Sequence, residues 1–391
     1  MQEHTAALEP EAPASSGHLS LARCLAAAAA APPALALALA GLLAPALGRA
    51  ELSVWGWLWS FEAVALAVGL GTIASRRRRV ARVRAAGVAG LVLLGLVRTA
   101  LFGGSETAHL VVIDRAGHVA SGARLLDRLF EERDAAMVGS RLLVLAGAVR
   151  ASEFPSLPSL LAQSYPQLER DAPRLGTPIP ATLLGLQRAD AFDAIVVAPE
   201  GAPGGLGVVF LHGLAGNFAL PCLEVARAAR RSGAETICPS TRFEGDWWRG
   251  DGEAIIRASI AHLRSRGARA IVLVGLSHGG LGASRLAGRL GREIDGLVLV
   301  SGVAANAPTP RVPTLVVQGE RDAMARTGAV RAWARGRVRV RYVELPGTHF
   351  VLLEERARVA EALRRAFALP RSSGSRPRPR GERAVATRRR E

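Results

Sequence analysis

Ala270-Ile271-Val272-Leu273-Val274-Gly275-Leu276-Ser277-His278-Gly279 is the stretch that decides the fold. An apolar run leads into a G-x-S-x-G pentapeptide, and the small residues Gly279, Gly280, Gly282 and Ala283 follow it. A short apolar run bounded by a turn reads as a buried strand, and the small residues after it open a helix. The turn between them holds the serine in a strained backbone conformation, so side chains at Gly275 and Gly279 would collide with their surroundings. Ser277 would then present its hydroxyl at a helix N-terminus, where the dipole favours negative charge. A serine in a glycine-rich turn is ordinarily a turn residue and nothing more. The strand before it and the residues after it make this one a candidate nucleophile.

Outward from that stretch, from about Ala181, short β-branched runs alternate with helical ones. Strands are expected at 182–186, 194–197, 207–211, 235–238, 270–274, 296–300, 314–317 and 338–344. Helices are expected at 220–232, 252–266, 281–290, 328–334 and 354–367. Apolar strands alternating with helices imply an α/β fold, a mostly parallel eight-stranded sheet with helices on both faces.

With these residues in place, 181–369 resembles the α/β-hydrolase superfamily of serine esterases and lipases. The resemblance implies a Ser-His-Asp triad in the chain order nucleophile, acid, histidine. Asp322, in Gly319-Glu320-Arg321-Asp322 after the strand 314–317, stands where the family places its acid. His349, in Pro346-Gly347-Thr348-His349 after the last strand, stands where it places its base. His349 would take the Ser277 proton and return it to the leaving group, while Asp322 holds the imidazole tautomer. Strand 207–211 ends in His212-Gly213-Leu214, which resembles the family's HG turn. The backbone N–H groups of Leu214 and His278 would then form the oxyanion hole.

Other readings stand beside these roles. Glu320 is the alternative acid, although its side chain is longer and its position earlier. His212 reads as a residue bracing the turn, and His278 as a packing or substrate-lining residue. Asp246, Trp247 and Trp248 follow the strand ending at Cys238, near the sheet edge where such folds bind ligands. They either line the pocket or anchor a loop. Only 301–313 separates two strands where many family members insert a lid, so the site is open unless 104–180 covers it.

N-terminal to this domain the chain changes character. Residues 1–24 read as a disordered leader, and 25–103 as a transmembrane region with apolar stretches at 25–47, 52–74 and 85–102. Each stretch approaches the ~20 residues that span a bilayer. The first, containing Pro32, Pro33 and Pro45, doubles as a signal-peptide candidate. Trp55, Trp57 and Trp59 suggest an interfacial belt, and the Arg76–Arg79 run a cytoplasmic loop that places everything after Gly103 outside. Glu62 and Arg98 interrupt the spans and are candidates for a pair within the outer leaflet.

Between 104 and 180 lies a linker or cover. An amphipathic helix is expected over 124–133, and the prolines from Pro155 to Pro180 predict irregular chain. Cys222 and Cys238 could pair in an oxidising compartment, but buried free thiols are the ordinary outcome.

The formal net charge of +17 looks at first like a nucleic-acid signal. All 50 Lys+Arg residues are Arg, which suggests a GC-rich bacterial genome. The charge concentrates at 76–84 and in the tail 370–391, which has too little apolar content to bury and no aromatics, and reads as disordered. The expected protein is therefore a multi-pass bacterial membrane protein with an extracytoplasmic serine hydrolase domain and no nucleic-acid partner. It would act on an ester or acyl small molecule or lipid, without cofactor or metal. An acyltransferase, a peptidase or a non-catalytic binding domain are the alternatives.

Overall fold

A nine-stranded, mostly parallel sheet organises the chain in the computed structural model, which describes residues 53, 56–58, 78–102 and 105–368. The leader 1–24, the first expected span 25–47, most of the second, Glu62 and the tail 370–391 lie outside the described residues. The strands are β1 (Ala108–Ile113), β2 (Val119–Gly122), β3 (Phe192–Val197), β4 (Leu206–Leu211), β5 (Glu235–Pro239), β6 (Ala270–Leu276), β7 (Gly296–Val300), β8 (Thr314–Gly319) and β9 (Val340–Leu345). Their order is β2-β1-β3-β5-β4-β6-β7-β8-β9. Pairing is parallel from β5 through β4 to β9 and antiparallel among β5, β3, β1 and β2.

Strands β3 to β8 are almost entirely buried, as expected of a sheet covered on both sides. The helices are α1 (Arg78–Ala100), α2 (Glu132–Leu145), α3 (Leu157–Asp171), α4 (Ile179–Leu183), α5 (Ala219–Arg230), α6 (Gly252–Ser265), α7 (His278–Leu290), α8 (Thr327–Ala334), α9 (Val351–Glu354) and α10 (Arg356–Phe367). One core joins α3, α5 and α10 to one face of the sheet through Leu161, Tyr165, Leu223, Leu363 and Phe367. The other joins α6, α7 and α8 through Ile255, Leu263, Leu286 and Trp333.

Several expectations need correction. The segment 182–186 is not a strand: Thr182 and Leu183 close the short helix α4. Part of the stretch read as linker belongs to the sheet, because β1 pairs with β3 from Ala108↔Val197 to Ile113↔Phe192. The expected helix over 124–133 is only a 3-10 turn at Leu126–Arg128, and Leu125 stays exposed. The prolines after 153 make only part of that stretch irregular: Pro155, Pro173 and Pro178 lie in turns and bends, but a helix forms between them. Pro158 lies in the first turn of α3, where its missing N–H costs nothing, and Pro166 is accommodated inside that helix.

The third expected span does form the C-terminal part of α1, but among the described residues no helix is long and apolar enough to cross a membrane. Only 85–97 separates Arg84 from Arg98, roughly 20 Å of helix against a hydrocarbon core of about 30 Å. Arg98 is buried, its Nη2 lying 4.0 Å from a Glu131 carboxylate oxygen.

Cys222 on α5 and Cys238 on β5 form a disulfide, not the free thiols expected. Helix α5 lies against β5, and the two Cα atoms are 6.1 Å apart across a sequence separation of 16. Closing a loop of that size stabilises by about 3 kcal/mol in the chain-entropy account. Cys222→Ala with Cys238→Ala should lower the free energy of denaturant unfolding by about that amount, and added reductant should have the same effect on wild type alone.

Glu132 is buried where α2 meets α5. It accepts the N–H groups of Ala219 and Leu220 and, at 3.1 Å, the Tyr165 hydroxyl. Burial pushes its carboxyl up to about 7, although all three donors oppose the shift. Asp127 is also held above the ordinary carboxylate range, by burial first and then by Asp193. A carboxyl raised on folding contributes stability that is complete below its unfolded pKa and is lost as pH rises through the folded value. For Glu132, moving from 4.5 to about 7, the loss is on the order of 3 kcal/mol. The urea midpoint should therefore fall between pH 5 and 8, and Glu132→Gln should flatten the decline.

Candidate active site

Ser277 stands between β6 and α7 with φ 53° and ψ −119°, a left-handed conformation that side chains rarely adopt. Its hydroxyl is thereby turned out of the strand. A Cβ on Gly275 would strike the backbone of Gly279, and one on Gly279 would strike the carbonyl of Leu211. The pentapeptide's glycines are thus required by close packing against α7 and β4.

Three loops at the carboxyl ends of β6, β8 and β9 bring the expected triad together. Ser277 Oγ lies 2.8 Å from His349 Nε2, and His349 Nδ1 lies 3.0 and 3.1 Å from the two Asp322 oxygens. The Asp322 side chain is fully buried. It also accepts the N–H groups of Met324 and Ala325 at 2.9 and 2.7 Å and the Gln318 amide at 2.7 Å. Those donors hold both oxygens in place and aim them at the imidazole. The alternative acid, Glu320, is 45% exposed and lies beside Arg321.

The HG turn lies next to the serine: a Cβ on Gly213 would sit 3.0 Å from the Ser277 Cβ. Ser277 gives its own N–H to the Val300 carbonyl at 2.9 Å, and Ala215 gives its N–H to Phe243 at 2.8 Å. His278 is the first residue of α7, so its N–H has no acceptor within the helix. An oxyanion at Ser277 could draw on this donor and on Leu214 across the turn. The cost of reorganisation is small because both are backbone groups.

His212 braces the turn. Its Nδ1–H donates to the Gly213 carbonyl at 2.7 Å and its Nε2 accepts the Thr241 N–H at 3.1 Å. Burial pulls its pKa down to about 4, so the ring stays neutral near pH 7. Trp247 is wholly buried and donates from Nε1 to the His212 carbonyl at 3.0 Å, which makes it a loop anchor and not a pocket wall. Asp246 has Arg249 as its neighbour at 4.0 Å. Trp248 is half-buried, edge-on to the His278 ring at 6.2 Å and beneath the Arg285 guanidinium at 4.2 Å. His278 itself donates from Nδ1 to the Glu244 carbonyl at 2.5 Å.

Two features were not legible in the sequence. Helix α4, which joins the end of the expected linker or cover to the start of the expected strand 182–186, lies against the HG loop with Ile179 and Thr182 next to Gly216. Glu153, 1% exposed, accepts the His349 N–H at 2.8 Å and the Ala323 N–H at 2.5 Å. Nothing near Glu153 in sequence signals this, because its partners lie 196 and 170 residues away. Among the described residues, no group of three or more His, Cys, Asp or Glu is arranged to hold a metal.

No family model matches the chain, and no curated protein matches it. Solved structures of α/β serine hydrolases do. XC6422 from Xanthomonas campestris, described as a serine hydrolase without lid, is 23% identical over 46% of this chain and 91% of its own, with a TM-score of 0.40. Est1E from Butyrivibrio proteoclasticus is 18% identical over 45% of this chain and 93% of its own, at a TM-score of 0.38. A serine hydrolase homologue from Coxiella burnetii is 20% identical over 45% and 91%, at 0.37.

Proposed function

We propose that the chain is an α/β-hydrolase-type serine hydrolase that cleaves carboxylic esters through an acyl-enzyme. The observation that carries this reading is the continuous relay from Ser277 Oγ through His349 to buried Asp322, beside a helix-terminal N–H. Ser277 Oγ attacks the ester carbonyl carbon as His349 Nε2 takes its proton, and Asp322 stabilises the imidazolium. The oxyanion accepts from the N–H groups of Leu214 and His278. On collapse the carbon–oxygen bond to the alcohol breaks, and the proton on His349 passes to the leaving oxygen. Water, deprotonated by His349, then adds to the acyl carbon, and Ser277 leaves with the proton as the free acid departs.

Only 301–313 separates β7 from β8, which leaves no room for a lid at that point. The disulfide supports a domain outside the cytoplasm, since such bonds persist in oxidising compartments. Val88, Val92, Leu93 and Leu96 are exposed on α1 beside the Arg76–Arg84 run, which supports tethering at an anionic membrane surface. The test is covalent labelling with a fluorophosphonate probe: wild type should label to one equivalent and Ser277→Ala not at all. A folded wild type that stays unlabelled overturns the reading.

A further inference from the structure

We propose that Glu153 is a positioning residue for the triad, a carboxylate that locks the acid loop to the base loop. The proposal rests on the serine-hydrolase reading of Ser277, His349 and Asp322. The two loops come from different strands: Asp322 follows β8 and His349 follows β9. Their side chains meet at the Asp322–His349 hydrogen bonds, and their backbones at the Arg321 N–H to Gly347 carbonyl bond of 2.9 Å, which holds the loops together before Asp322 and His349 but not at or after them. Glu153 lies outside both loops, at the end of a 3-10 turn (Ala151–Glu153) in the segment leading to α3. One carboxylate oxygen accepts the backbone N–H of His349 at 2.8 Å. The other accepts the N–H of Ala323, the residue after the acid, at 2.5 Å.

A buried carboxylate needs such donors, and charge-assisted bonds are the short, strong kind. Here both donors belong to the backbone of the catalytic loops themselves. The bridge therefore extends the backbone tie at Arg321 and Gly347 to the main chain at His349 and just after Asp322, independently of their side chains. A second tie runs beside it. Glu354 on α9 accepts the Thr348 N–H at 2.6 Å and the Ser156 hydroxyl at 3.0 Å, so the same segment is held to the base loop on the other side of His349.

Without the bridge the imidazole can drift relative to Ser277 and Asp322. A misplacement of about 1 Å costs about 10²-fold in rate. Glu153→Ala should lose that factor. Glu153→Gln is isosteric and keeps one acceptor but turns an amide N–H toward the second donor, so it should lose about tenfold. In substrate assays the loss should fall on kcat, with KM little changed.

Loss of fold and loss of alignment separate in the time course of fluorophosphonate labelling. Unfolded material lowers the fraction of protein that ever labels. Misaligned material labels completely but slowly. The proposal expects full labelling of Glu153→Gln at a rate about tenfold below wild type, and a further decrease for any Glu153→Ala that folds. Wild-type rate constants in Glu153→Gln, at full or at reduced labelled fraction, overturn it. A wild type that never labels would instead overturn the hydrolase reading.

Discussion

Ser277→Ala should lower kcat for a short chromogenic ester by about 10⁶-fold, and His349→Ala should do nearly the same. The two losses should not add. Ser277 Oγ and His349 Nε2 are 2.8 Å apart and act as one unit, since without the base the hydroxyl stays protonated and without the hydroxyl the base has nothing to activate. The double variant should match the worse single within a few-fold. A residual rate above the uncatalysed reaction would remain through the backbone donors at Leu214 and His278. Steady-state turnover by the three variants checks this. If the single losses multiply, Ser277 and His349 do not work in a common step.

Asp322→Asn should cost about 10⁴-fold in acylation while leaving the fold intact. The geometry supplies the reason. Met324 and Ala325 donate to Oδ1, so an asparagine at 322 would keep its oxygen there and place its NH₂ where Oδ2 stands. Oδ2 is 3.0 Å from His349 Nδ1, and an amide donor at that point favours Nδ1 as the acceptor over an Nδ1–H given to Oδ1, which at 3.1 Å already takes two backbone donors. The proton then resides on Nε2, which faces Ser277 and can no longer accept its proton. Gln318 Nε2, which now donates to Oδ2 at 2.7 Å and to the Ala325 carbonyl at 3.0 Å, would keep only the second partner. Fluorophosphonate labelling should slow by a similar factor with its final extent unchanged. Activity within tenfold of wild type would remove Asp322 from the relay.

Much of this site was readable before any fold was known. G-x-S-x-G carries its own backbone requirement, because the glycines exist to let β6, α7 and β4 approach. Asp322 and His349 were placed by the family resemblance, which sets the acid and the base after two late strands, and the expected runs did become β8 and β9. Trp247 illustrates the limit. Its position near the sheet edge was legible, but burial against His212 makes it an anchor, and a sequence does not display burial.

The region before Ala181 shows where the reading stops. β1 has few residues, and its identity as a strand comes from pairing with β3 more than 70 residues later. Local propensity cannot report a partner so distant. Pro158 and Pro166 looked like breakers because the rule weighs the lost N–H, yet burial of Leu161, Tyr165 and Leu168 holds α3 together. The Cys222–Cys238 bond likewise depends on α5 folding back along β5, which two cysteines in a sequence do not announce.

What the sequence determined by itself was the part written in local chemistry: the short apolar, β-branched runs and the glycine turn around Ser277, with the order of nucleophile, acid and base added by the family resemblance. The runs and the turn are short-range because backbone sterics and side-chain type act within a few residues. Only the tertiary structure decided which acid reaches His349, which tryptophan is buried, and that Glu153 bridges Ala323 and His349. Those outcomes depend on contacts between segments far apart in the chain, formed when the sheet and its covering helices pack together.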